Sequence, residues 1–103
     1  MQNIAEPSKN STSKKMMLKL LGVARGSLEE LLNDYLAFLR QNNLPIWDKD
    51  SPQARAVRSI ANRADKTYES YRIYLSNPTD AANAIICLIN QCNFLLEFFQ
   101  FYL

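Results

Sequence analysis

Histidine is missing from all 103 residues, which removes the commonest general base and the commonest metal ligand together. Glycine occurs only twice, so there is no glycine-rich phosphate loop and little material for hairpin turns. No serine stands in a nucleophile-elbow pattern, and no run of strand-like alternation is bounded by turn residues. The two cysteines, Cys87 and Cys92, are five apart. On a helix they point about 140° away from each other, so they read as buried free thiols of a reducing compartment rather than a local disulfide or metal clip. The N-terminus lacks the apolar core of a signal peptide, which points to the cytoplasm. The most apolar stretch, residues 81–103, is broken by Asn90, Gln91, Asn93, Glu97 and Gln100, and no membrane span is expected.

What remains is packing material. Hydrophobic residues make up 48% of the chain and charged residues 21%, a balance that supports one folded domain over residues 1–103. Residues 1–12 form a polar lead-in, with Met1–Glu6 readable as the last turn of an earlier helix. A first long helix is expected from near Ser13, with Ser11, Thr12 and Ser13 as caps, to about 41–43, where Asn42-Asn43-Leu44-Pro45 ends it. Its seam, Met17, Leu21, Ala24, Leu28, Leu31, Tyr35 and Phe38, alternates steps of four and three, and Leu18, Leu20, Leu32, Leu36 and Leu39 widen it to suit a helix that touches more than one neighbour. Gly22 and Gly26 lie inside it and mark either close approach of another helix or a kink at Gly26-Ser27.

Leu44, Pro45, Ile46 and Trp47 form an apolar plug in a polar connector, with Trp47 expected to fold over a bundle end. Ser51-Pro52 opens a second helix, thinner in apolar content, whose seam Ala54, Val57, Ala61, Ala64, Tyr68 and Tyr71 carries it to about 71–76. The last helix starts at Pro78, capped by Asn77 or by Thr79, and runs to the end of the chain. It has two apolar sides. One is Ala81, Ile85, Leu88, Cys92, Leu95, Phe99 and Tyr102; the other, the candidate self-association surface, is Ile86, Ile89, Phe94, Leu96, Phe98 and Phe101. Two thin helices cannot cover both sides, so another copy of the chain is expected to cover the second. The fold class is therefore all-α, an up-and-down bundle of about three helices.

Chemistry has few footholds. Glu29, Glu30 and Asp34 share a stretch of the first helix, but without histidine or a facing carboxylate pair they read as a solvated face. No cofactor or metal is expected, and no enzymatic activity. The net charge is +2, yet Lys9, Lys14, Lys15, Lys19 and Arg25 follow one another with no acid between them. With Arg55 and Arg58 they make a candidate anion or nucleic-acid surface, the ordinary mixed surface being the alternative.

The residues QNIAEPS, SKK, VARGSLEELLNDYLAFLR, LPIW and DKDSP, spanning roughly 2–50, resemble the bacterial four-helix-bundle suffix-domain proteins. These are related to the small bundles encoded in intervening sequences of bacterial large-subunit ribosomal RNA genes. The resemblance implies an up-and-down bundle, ring assembly, typically pentameric, no enzymatic activity, and kinship with an accessory protein of diversity-generating retroelements that resembles an RNA- and reverse-transcriptase-binding ring. In that pattern QNIAE closes the second helix, which implies a partial four-helix bundle lacking its first helix and most of its second. Pro7 stands where the family usually has glycine. The expectation is a non-catalytic module that self-associates and binds RNA or a protein through the basic surface. A structural remnant without a ligand is the alternative, and a small-ligand-binding or enzymatic bundle ranks last.

Overall fold

The computed structural model describes residues 7–102, with side chains from Thr12 onward, and among these residues the fold is all-α. Four helices follow in order: α1 (Pro7–Gln41), α2 (Pro52–Ala61), α3 (Tyr68–Tyr71) and α4 (Pro78–Tyr102), with a 3-10 turn over Arg72–Leu75. The expected remnant helix at Met1–Glu6 lies outside the described residues.

α1 begins at Pro7, earlier than the Ser11-Thr12-Ser13 caps suggest. Nothing between Pro7 and Gly22 breaks a helix. Serine, threonine and asparagine cost only a few tenths of a kcal/mol each once a helix has nucleated, and Pro fits its first turn. Its C-terminus is set by Asn43, the one described non-glycine residue with a left-handed backbone, φ 54°. The Leu44 N–H donates to the Leu39 carbonyl at 2.8 Å and the Asn43 N–H to the Arg40 carbonyl at 3.2 Å. This is the paired closure of a Schellman motif, completed by the packing of Leu44 against the cluster that holds Leu39.

α1 and α4 form an antiparallel pair. Leu39 packs with Ala82 and Ile86 at one end, and the Arg25 guanidinium reaches Glu97 at 3.3 Å and Gln100 at 2.8 Å nearer the other. Continuing that register sets Tyr102 beside roughly residues 20–23, so Pro7–Lys19 runs about 20 Å past it. The core sits at the other end: Leu39 is 0% exposed, with Leu32, Tyr35, Leu36 and Leu44 packed around its cluster. Of the expected seam, Leu21, Ala24, Leu28 and Tyr35 are half-buried, and at the closed end the deepest burial falls on its flank. Leu32 and Leu39 face inward, whereas Leu31 and Phe38 are exposed.

The second helix is shorter than its seam implied. Ser51 caps it through the Ala54 N–H at 3.2 Å, but Asn62 and Arg63 donate to the Ser59 and Ile60 carbonyls in tight i to i−3 bonds that close it. Arg63 then pairs with Asp65 at 3.1 Å, and Thr67 restarts a short turn with its N–H on Ser70 Oγ at 3.1 Å. Only Ala54 and Val57 of α2 are fully buried. At the start of α4, Asn77 is the cap: its Oδ1 accepts the Asp80 N–H at 2.8 Å.

Among the described residues, a Cβ added at Gly22 or Gly26 would meet nothing within 4 Å beyond its own helix backbone. The expected close approach is therefore not made within the monomer, and α1 continues unbroken through Gly26-Ser27. Within a lone chain, Gly22→Ala and Gly26→Ala should each raise stability by about 1 kcal/mol, while Leu39→Ala should lower it by about 2–5 kcal/mol. Urea denaturation checks both; a loss of stability from the alanines would mean that another surface already occupies the glycine patch.

Candidate functional site

Asn83 places the connector on α4. It is 2% exposed, and its Oδ1 accepts the Trp47 N–H at 2.8 Å while its Nδ2 donates to the Pro45 and Thr79 carbonyls, both at 2.9 Å. An amide with every strong partner satisfied is an inexpensive polar group to bury. The connector it pins carries Trp47, half-buried and edge-on to Tyr74 with ring centroids 6.4 Å apart. α2 then runs alongside α4, and between them lies a cavity of about 560 Å³. Trp47, Ile86, Cys87, Phe94 and Leu95 supply apolar walls; Lys49, Arg58, Asn62, Asn90 and Gln91 supply polar ones. A second, shallower hollow of about 340 Å³ continues along α4 between Phe94 and Tyr102.

That continuation is the open part of the molecule. Phe94 is 70% exposed, Phe98 50% and Phe101 82%. Leu95, Phe99 and Tyr102 are exposed too, and Leu96 is half-buried. Ile86 and Ile89, expected on the self-association surface, are buried at 9% and 4% and so face the chain's own interior. The candidate surface therefore loses those two and gains Leu95, Phe99 and Tyr102. Met16, Met17, Leu20 and Val23 are exposed on α1 at the same end of the pair.

The predicted basic residues do not form one surface. Lys14, Lys15 and Lys19 are exposed on the projecting part of α1, whereas Arg55 and Arg58 lie on α2, beside the α4 turns that face Leu39. Lys19 and Leu39 are separated by roughly 30 Å of helix. Arg25 is tied to Glu97 and Gln100, and Arg55 Nε donates to the Asp50 carbonyl at 3.0 Å. The side chain of Lys9 lies outside the described residues. Among the described residues no three of His, Cys, Asp and Glu gather into a metal-binding group.

Both cysteines are free, but Cys92 is exposed and only Cys87 is half-buried, against the expectation of two buried thiols. Burial pushes the Cys87 thiol up, and nearby Arg58 partly opposes this. The Asp65 carboxyl is held below its ordinary value by the hydrogen bond and charge of Arg63. Against the expectation of no membrane span, α4 is long and apolar enough to cross a bilayer by length and composition. Its polar residues are too few to take it out of that range, though Glu97 and Gln100 hold Arg25 and Asn83 holds the connector.

No family model, no curated protein and no solved structure matches the chain.

A thiol titration with an aromatic disulfide reagent should show one fast and one slow group. Cys92→Ser should remove the fast phase; loss of that phase in Cys87→Ser instead would contradict the burial order.

Proposed function

We propose that the chain is a non-catalytic helical module that self-associates through the open ends of α1 and α4. The observation that carries this is the amount of surface left over. The chain exposes 7523 Å², against roughly 5,900 Å² for a compact monomer of its mass. Its radius of gyration is 17.8 Å, against about 13 Å for a compact domain of this length. The excess of about 1,600 Å² exceeds the roughly 800 Å² each partner contributes to a standard interface. Apolar side chains contribute to it, Phe94, Leu95, Phe98, Phe101 and Tyr102 on α4 and Met16, Leu20 and Val23 on α1. Burying one such side chain contributes about 1.5–3 kcal/mol. The resemblance to ring-forming suffix-domain bundles supports the same reading, as does the unoccupied glycine patch on α1.

A second function rests on the projecting helix. Lys14, Lys15 and Lys19 are exposed, and between Thr12 and Leu28 no acidic residue accompanies them. We assign to this segment the RNA contact that the resemblance implies, as backbone-phosphate binding rather than base reading. Arg25 and Arg55, engaged within the chain, are left out of it. The module belongs in the cytoplasm, with the aromatic face turned to protein; a chain that floats with lipid vesicles would assign that face to a membrane.

Equilibrium sedimentation at micromolar concentration should give a discrete oligomer, and Phe98→Glu with Phe101→Glu should reduce it to a monomer that keeps its helical circular dichroism. A wild-type mass equal to one chain would sink the self-association reading. Independently, replacing Lys14, Lys15 and Lys19 by Gln should weaken binding to a single-stranded RNA and make log affinity against log salt shallower by about 2. An unchanged slope would leave the lysines as solvated surface.

A further inference from the structure

The cavity between α2 and α4 shares Phe94 and Leu95 with the open aromatic face, but its other lining residues, among them Trp47, Arg58 and Gln91, are not used by the self-association reading. Its volume of about 560 Å³ lies inside the range of small-molecule sites, about 300–1,000 Å³, and far exceeds the roughly 30 Å³ share of one water. It is also held in shape from outside. The Asn83 hydrogen bonds fix the connector that carries Trp47, and the buried Ala54 and Val57 fix α2 against α4.

Three features of the lining choose a ligand class. First, it includes the cations Lys49 and Arg58 and no acidic residue. Among the described residues neither the Arg58 guanidinium nor the Lys49 ammonium has a hydrogen-bond or ion-pair partner; the ion pairs use Arg25, Arg63 and Arg72 instead. Asp48 and Asp50 flank Lys49 in sequence but stand outside the lining, so Arg58, half-buried on α2, is the stronger anchor. Second, Gln91 Oε1 is buried without a partner. Its Nε2 points at the Arg58 carbonyl, 3.5 Å away, and turning the amide over would set oxygen against oxygen. Oε1 is thus an unmet acceptor closed to solvent beside the cavity, and a turn of the Gln91 side chain would bring it to a donor there. Third, Trp47, Ile86 and Phe94 present flat apolar surface on the other walls.

We propose that this cavity is a binding site for a small amphipathic carboxylate: an aromatic or acyl body against Trp47 and Phe94, the carboxylate on Arg58, and an N–H or O–H donated to Gln91 Oε1 once that side chain turns to meet it. Glycine-conjugated aromatic and acyl acids have this pattern of groups. The carboxylate neutralises a cation that has no internal partner, and the amide N–H satisfies the one buried side-chain acceptor left open among the described residues.

Trp47 is the single tryptophan and forms part of the wall, so it reports occupancy directly. Dansylglycine carries the three required groups, a naphthalene ring, a sulfonamide N–H and a carboxylate, and it accepts energy from excited tryptophan. Dansylglycinamide differs only in lacking the charge. Titrated into the full chain, dansylglycine should quench Trp47 by energy transfer and bind at least tenfold more tightly than the amide. Arg58→Gln should bring the two within about twofold of each other, Arg58→Lys should keep most of the preference, and Gln91→Leu should weaken both probes by about three- to tenfold. Circular dichroism of each variant separates loss of the site from loss of the fold, and the Lys variant serves if the Gln variant unfolds. Equal affinity for acid and amide, a preference that survives Arg58→Gln, or the absence of energy transfer would each overturn the assignment.

Discussion

Everything beyond the α1–α4 pair depends on one buried amide. Asn83 sits 2% exposed on α4 and gathers the Trp47 N–H and the Pro45 and Thr79 carbonyls. Without those bonds the connector would leave a backbone donor and acceptor to find water at the edge of an apolar core, at about 1–3 kcal/mol for each group left unpaired. With them, the chain leaving α1 through its Asn43 turn is led across the end of α4. That path fixes where Ser51 caps α2 and therefore which side of α4 receives the second layer. The cavity beside Arg58 and the placing of Trp47 follow from the same path.

A length mismatch sets the rest. α2 covers ten residues, about 15 Å, and α4 covers 25, about 37 Å. The second face of α4 is therefore covered only over its first turns. Past Gln91 the same face continues as Phe94, Leu95, Phe98, Phe101 and Tyr102, exposed at 50–82%. Asn62 and the Arg63–Asp65 pair end α2 before it could extend farther. The molecule is thus closed at the end where its connector lies and open at the other. Its fold and its proposed association are two results of one short helix.

Much of this architecture could be read from local chemistry. Ser51-Pro52 and Asn77-Pro78 announce helix starts, Asn42-Asn43 announces a stop, and the apolar runs of α1 and α4 have lengths and spacings that only helices satisfy. Where two residues of similar character compete for one stripe, the pattern is silent. Leu31 and Leu32, like Phe38 and Leu39, each fit a heptad, and only the partner helix decides which turns inward. The same ambiguity assigned Ile86 and Ile89 to an outer face, although Ala82 beside them leaves room for α1 to approach there. The break after Ala61 was hidden because Ala64, Tyr68 and Tyr71 keep the seam alive, while the Arg63–Asp65 pair that stabilises the turn carries no periodic signal. Asn83 gave still less warning: one asparagine in an apolar helix reads as a polar interruption, and two of its three partners lie 36 and 38 residues away. The cavity could not be foreseen, since Arg58 and Gln91 meet only once α2 is laid on α4.

The central claim is that the open ends of α1 and α4 are covered by another copy of the chain. Hydrogen–deuterium exchange followed as a function of protein concentration tests it most directly, because it reads both ends of one molecule in one experiment. Amides of 94–102 and 16–31 should gain protection as concentration rises, while those of 82–89, already packed on Leu39, should not change. Protection at 94–102 that is independent of concentration would contradict the account, whether the segment exchanges freely at every concentration or is as well shielded as the closed end in a single chain.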